Sequence, residues 1–349
     1  MALTKVSNQV IQTPYKKNFI INGCARLWQR GFGPVSTNGA YLGDRFKLFN
    51  NSSTTLSYYR SDAGPVTMFQ KSFFLKVTAG QATIPSDKFA GLLTEIEGYD
   101  YRFISGQTVT LSFWVRSSTA GIYCASFRTG SPSVDRSYIA EYTINSVDTW
   151  EYKTITAVLN GNNTPSYEEG RGLQISWCLA CGADSQGTAG SWLTGSKLAT
   201  SNQVNFLSTL NVEFRIAGMQ LELGPVATPF EYRPFGEELI LCQRYYEKSY
   251  AIGVSPGTST LTGELAYIAP TTGTVYQNII FKVSKRVNPT GTVYLYSTTG
   301  AINNVRDITT GADVAASGVV ESNHSAIAQF TATAGRLYGF QWVADAEFT

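Results

Sequence analysis

LNVEFRIAGMQLELGPVATPFEYRPFGEELILCQRYYEKSY, residues 210–250, decides how the chain is organised. Leu210, Val212, Phe214 and Ile216 recur at every second position with Asn211, Glu213 and Arg215 between them. That is the period of a strand with one face on a core, and it closes a sheet. Gly224-Pro225, Thr228-Pro229 and Arg233-Pro234 follow. Each proline holds its own φ and biases the preceding residue towards extended geometry, so 224–235 is expected to be a stiff strap. Gly236 then precedes Glu237 and Glu238, acids suited to the positive end of a helix, with Leu239, Cys242 and Tyr246 at helical spacing. A short helix should end the strap.

On either side of this stretch the pattern is that of strands. Before it, expected strands fall at 19–21, 44–49, 56–60, 73–77, 92–97, 109–116, 123–127, 138–143, 151–158, 173–179 and 212–223. In 109–116, Val109, Leu111, Phe113 and Val115 alternate with Thr110, Ser112 and Trp114, one face apolar and the other polar with one aromatic. After the stretch, shorter units are expected at 262–269, 274–283, 291–297, 326–333 and 338–344, separated by Gly-containing turns such as Thr272-Gly273 and Ala334-Gly335. The fold class is all-β, a β-sandwich followed by a smaller C-terminal β-sandwich. The expected divisions are 1–17, 18–223, 224–248 for the strap and short helix, and 249–349. The first is a helical or extended attachment segment, whose Val6, Val10 and Ile11 share one helical face.

Composition narrows the function. Only 15% of the 349 residues are charged, while 20 Tyr and 19 Phe are present. A polar but weakly charged surface with many aromatics suits a β protein exposed to its environment. The formal net charge is +2, and Lys16-Lys17 and Lys285-Arg286 are the only adjacent basic pairs, too few for a phosphate backbone. No run approaches the roughly 20 apolar residues of a membrane span, and the first residues lack the apolar core of a secretory signal. Synthesis in the cytoplasm, no nucleic acid and no membrane insertion are the expectations.

Catalytic chemistry has little to stand on. His324 is the one histidine, and Glu168-Glu169 and Glu237-Glu238 adjoin in sequence, so neighbours diverge on a strand or a helix. Cys178-Leu-Ala-Cys181 has half the spacing of a zinc ribbon but no second pair follows, and buried thiols are the preferred reading of the five cysteines. Neither a cofactor nor a metal is expected, and the chain reads as a non-enzyme. A sugar site asks less, namely an exposed aromatic ring flanked by polar side chains. Tyr58, Tyr59 and Arg60 offer one mixture, Tyr101 beside Asp100 and Arg102 another, and Trp192 in the small-residue loop GTAGSWLTGS a third.

Several stretches carry a resemblance. GMQLELGPVATPFEYRPFGEELILCQRYYEK (218–248) resembles the junction in many bacteriophage tail-fibre and related virion appendage proteins, where a carbohydrate-binding-module-like jelly roll precedes a small terminal β domain. MALTKVSNQVI (1–11), NFIINGCARLWQRG (18–31), GDRFKLF (43–49), TVTLSFWVRSS (108–118) and ADAEF (344–348) agree with it, so the resemblance spans the chain. It implies jelly-roll connectivity, a place on the virion, attachment to other virion proteins through the N-terminal segment, and a homotrimer. The trimer contacts would come from Val6, Val10, Ile11, Leu239, Cys242 and Tyr246. Many jelly-roll modules hold calcium with an acidic residue after the early Asn-Gly pair, whereas Cys24-Ala25 follows Asn22-Gly23 here. The function expected is a virion fibre that binds an uncharged or weakly charged host-surface glycan. A head-fibre or decoration protein of the capsid, and a glycan depolymerase, are the alternatives.

Overall fold

The computed structural model describes residues 17–52, 56–130, 135–161, 165–289 and 291–348. Val6, Val10 and Ile11 lie outside them.

Eleven strands before the strap form two facing antiparallel sheets. One has the order β1 (Phe46–Asn50), β4 (Phe89–Glu97), β9 (Arg171–Cys181), β6 (Gly121–Thr129), β7 (Arg136–Ile144), β10 (Trp192–Thr194). The other has the order β2 (Leu56–Ser61), β3 (Ser72–Val77), β11 (Glu213–Leu223), β5 (Thr108–Ser117), β8 (Glu151–Val158). The chain passes repeatedly between the sheets, as in a jelly roll. Period two sends Ile175, Trp177, Phe127, Tyr123, Leu92 and Phe46 from the first sheet, and Tyr58, Phe73, Leu111, Phe113, Phe214 and Ile216 from the second, into one shared core. Residues 19–21 form a turn rather than the expected strand. A short helix α1 (Gly98–Tyr101) follows β4.

The motif GMQLE earns its residues at a bulge. Register shifts between Ala217 and Gln220, and Gly218 sits at φ 61, where a Cβ would come within 2.8 Å of the Phe69 ring and 3.1 Å of Trp114. The bulge offers its backbone to the N-terminal turn: Met219 N donates to Gly23 O at 3.0 Å and Asn18 Nδ2 to Met219 O at 3.1 Å. Beyond it, Gln220 Oε1 accepts from Glu231 N at 2.7 Å, and Glu222 accepts from Thr228 N at 2.9 Å. The strap is therefore pinned to the outer side of β11.

Helix α2 (Phe235–Gln243) follows, then strands β12 (Tyr246–Lys248), β13 (Leu265–Ile268), β14 (Gly273–Ile280), β15 (Val293–Ser297), β16 (Asn304–Asp307), β17 (Ala312–Val320), β18 (Ser325–Ala332) and β19 (Leu337–Asp345). β19 is the hub, pairing β12 and β13 along one side and β15 and β16 along the other. β17 pairs β16 with its first half and β18 with its second, so the sheet folds back and β14 ends it. Phe330, Phe340, Trp342, Leu295 and Val305 fill the resulting core. β10, β12, β16 and β17 had no counterpart among the expected strands.

Residues quoted as motifs in the sequence meet where the two bodies of strands touch. Asn22 is satisfied on every side: its Oδ1 accepts from Arg26 N and Leu27 N, its Nδ2 donates to Leu27 O and Asp44 O, and its N donates to Glu238 Oε1. Arg30 lies over the Tyr246 ring, 3.7 Å from its centroid, and pairs with Asp345 at 3.1 Å. Arg45 lies over Tyr245 at 3.4 Å and pairs with Glu347. Arg244 and the Tyr245 hydroxyl both donate to Glu97 at 2.8 Å, and Lys248 Nζ donates to Gln29 O at 2.5 Å. Lys285 and Glu247, both wholly buried, pair at 2.7 Å beside them.

This junction corrects the expected trimer face. Cys242 is wholly buried, Tyr246 is covered by Arg30 and β19, and Leu239 packs half-buried against Ile21, Leu27 and Tyr245. The apolar side of α2 is used within the chain, so Cys242 and Tyr246 present no surface to a second copy.

Candidate functional site

The outer face of the β1-β4-β9-β6-β7-β10 sheet carries a cleft of about 270 Å³. Its floor comes from the positions that alternate with core residues. Gln174 lies between Leu173 and Ile175 on β9, Arg128 follows Phe127 on β6, Glu95 and Leu93 flank Thr94 on β4, and Lys47 and Phe49 flank Leu48 on β1. Phe49 and Phe89 form an aromatic pair at one side, 5.8 Å between centroids.

The polar groups of the floor hold one another in place. Arg128 donates to Gln174 Oε1 at 2.5 Å, and Gln174 Nε2 donates to Ser176 Oγ at 2.8 Å. Asp135 receives Arg171 at 3.0 Å and lies 3.5 Å from Arg128, while Glu95 lies 3.9 Å from Arg171. Burial and the neighbouring Arg171 guanidinium lower Arg128 from its usual value, against the opposing pull of Asp135 and Glu95. Two guanidinia thus face two carboxylates, and Lys47 adds one further positive charge. The network is preorganised, with Gln174 at 3% exposure and Asp135 at 6%.

Walls flank the cleft on two sides. Ser196, bonded to Arg128 Nη1 at 2.5 Å, and Leu198 stand at the β6 side, and Asn38 and Gly39 at the β1 side. Lys47 is itself held by the segment after β19, because Phe348 O accepts from Lys47 Nζ at 3.2 Å and from the Tyr41 hydroxyl at 3.1 Å. The junction between the two bodies of strands therefore also positions one residue of the cleft.

A larger hollow of about 460 Å³ lies beside the strap, lined by Cys24, Arg26, Met68 and Tyr232 among others. Its one guanidinium is already engaged: Arg26 bonds the Tyr232 hydroxyl and Arg233 O, and lies over the rings of Tyr232 and Phe235. The smaller cleft has the denser set of convergent polar groups beside an aromatic pair.

The sequence candidates do not gather at either place. Tyr58 faces the core because it shares the inward phase of β2 with Leu56, and its hydroxyl accepts from Gly43 N at 3.2 Å. Tyr101, the last residue of α1, is 2% exposed and lies beside Tyr167, with 6.1 Å between ring centroids. Neither ring can meet a ligand. Tyr59 faces outward from the β2-β3-β11-β5-β8 sheet, the opposite side of the sandwich from the cleft. It stacks on Phe74 at 5.3 Å, and Arg215 covers Phe74. Arg60 pairs with Asp62 at 3.2 Å and lies over Phe32. Trp192 is half-buried on the edge strand, its Nε1 donating to Val158 O at 2.8 Å and its ring beside Tyr138.

Cys24, Cys124, Cys178, Cys181 and Cys242 are buried free thiols. Among the described residues no group of three or more His, Cys, Asp or Glu side chains is arranged to hold a metal ion. The Ser284 hydroxyl lies 2.7 Å from Nδ1 and 3.1 Å from Nε2 of His324, which places it against the ring edge between the nitrogens rather than in line with either.

No family model and no curated protein matches the chain. Solved structures do, at low similarity. An enzymatically active domain of tailspike protein 4 of bacteriophage CBA120 aligns with 59% of this chain at 14% identity and a TM-score of 0.32. The alignment spans 21% of that tailspike chain. The family 11 carbohydrate-binding module of a Clostridium thermocellum cellulosomal cellulase aligns over 57% of this chain and 99% of its own, at 10% identity and TM-score 0.31. The module TmCBM61, in complex with β-1,4-galactotriose, aligns over 60% of this chain and 100% of its own, at 10% identity and TM-score 0.30.

Proposed function

We propose that this chain is a non-enzymatic virion fibre protein of a bacteriophage, acting as a homotrimer, whose jelly roll binds a host-surface glycan in the cleft floored by Lys47, Glu95, Arg128, Arg171 and Gln174. The carrying observation is the preorganised floor: the Gln174 amide, two guanidinia held by the buried Asp135, and the Glu95 carboxylate, fixed before any ligand arrives, beside the Phe49 and Phe89 rings. Sugar hydroxyls need such donors and acceptors, and sugar C–H faces need an aromatic wall. With Lys47, Arg128 and Arg171 set against Glu95 and Asp135, the floor carries a small positive excess, which supports a neutral or weakly charged saccharide. The walled ends and the volume support a short segment or a chain end. Asp135 and Glu95 are both engaged by guanidinia, Asp135 is buried away from the cleft, and a single carboxylate, Glu95, lines it, which supports binding over a hydrolysis that needs two converging carboxylates. The virion assignment rests on the resemblance of the quoted motifs, and attachment to other virion proteins through the N-terminal segment goes with it.

The test is binding of the purified full chain to a glycan array and to host-cell surface material. A per-site affinity of about −4 to −8 kcal/mol, the millimolar to micromolar range, is expected. Gln174→Ala and Arg128→Ala should each weaken it about tenfold or more, since each removes a charge-assisted or buried hydrogen bond. Tyr59→Ala, on the opposite sheet, should leave it unchanged. Loss on Tyr59→Ala alone would move the site to the other face. No binding to any host surface material would favour the head-fibre or decoration role.

A further inference from the structure

The sheet formed by β14, β18 and the second half of β17 has an outer face unlike the rest of the surface. No residue of β14, of β18 or of the paired half of β17, Ala316–Val320, is charged. Inward positions Val275, Ile279, Ala328 and Phe330 fill the core, so the alternate positions face out. They line up across strands as Tyr276 with Gln329 and Ser317, Asn278 with Ile327 and Val319, and Ile280 with Ser325. Tyr276 is 62% exposed, Ile280 69% and Val319 40%. The flanking charges in sequence, Lys282, Glu321 and Arg336, stand beyond the strand ends.

β14 is also an edge. It pairs β18 along its whole length, and among the described residues no backbone group of Gly273–Ile280 bonds to anything else. Exposed edges are ordinarily blunted by charges, prolines or bulges, and this one has none of these.

We infer that this face and edge are where another copy of this chain docks. The inference rests on the homotrimer reading above and deepens it by naming the surface. Around a symmetry axis identical side chains approach one another, which charged residues oppose and an uncharged face permits. A charged partner would find no counter-charge here. A glycan would find outward amides and hydroxyls that line neither the cleft nor the hollow described above.

The experiment is sedimentation velocity and light scattering of the full chain from about 1 to 100 μM, on wild type, Ile280→Lys and Val319→Lys, with hydrogen exchange of residues 273–280. Wild type should sediment as a multimer with protected β14 amides. Either lysine, placed against its own copy, should shift the midpoint concentration of association about a hundredfold. Melting temperature at a concentration where wild type dissociates reports whether each variant folds, and the two positions provide independent chances. A monomeric wild type would overturn both the homotrimer and this face. A wild-type multimer that persists in both folded variants, with unprotected β14 amides, would overturn the face alone. Binding of a different molecule at β14 by a monomeric chain would assign the face to that partner and overturn the inference.

Discussion

Lys248 shows how the junction treats a single charge. Its ammonium is buried among the carbonyls of Gln29, Ile252 and Val254. Burial pushes it down to about 8, with Asp44 opposing and Arg30 assisting. The unfolded chain holds this proton up to about pH 10.4, the usual value for lysine. Between these values the unfolded state binds more protons than the folded state, so stability rises with pH across that window. Wild type should therefore gain stability relative to Lys248→Met between pH 8 and pH 10, with a slope of at most about 1.4 kcal/mol per pH unit. Urea denaturation of both proteins at several pH values measures the difference; a gap that stays constant or narrows with rising pH would contradict the burial argument.

At the scale of elements, the bulge in β11 links the sheet, the N-terminal turn and the strap. Gly218→Ala should cost about 1–3 kcal/mol, because it combines a left-handed backbone with a Cβ against the Phe69 and Trp114 rings. A denaturant midpoint within error of wild type would show that the bulge relaxes freely. The strands of the first sandwich were legible because Val109 to Val115 and their equivalents keep period two over a thick core. Strand β17 was not, since its Ala-Ser-Gly content has little apolar contrast, and β10 and β12 are three residues each. The α2 helix is legible from its prolines and acids, yet its apolar side reads as free for a second copy because sequence does not show which surface of the same chain comes to cover it. The cleft was legible only in part. Alternation marks Gln174 and Arg128 as outward, but β4, β9 and β6 are neighbours in space and not in sequence, so nothing local brings Glu95, Gln174 and Arg128 together. Tyr58 and Tyr59 were both named as aromatics, and only register against β3 separates the inward ring from the outward one.

For the whole molecule, the junction predicts mechanical unity. Arg30, Arg45, Arg244 and Lys248 reach across it, and the strap is hydrogen-bonded along β11, so neither side is free to swing. Calorimetry of the wild type at monomeric concentration should show one transition. Arg45→Met leaves Glu347 with Arg30 alone and should cost about 3–5 kcal/mol, splitting the transition into two. Two resolved transitions already in wild type would mean that the junction does not couple the bodies. Arg45 and Glu347 are 302 positions apart in the chain. Closing so long a loop is slow, and during synthesis the jelly roll leaves the ribosome well before β19 exists. The nascent first sandwich must therefore carry Arg45 without its counter-charge and Lys47 without the Phe348 carbonyl that holds it. Anchoring of Lys47 at the cleft is a late event in biogenesis, and an early-folded jelly roll presents that side chain loose until the distant strands arrive.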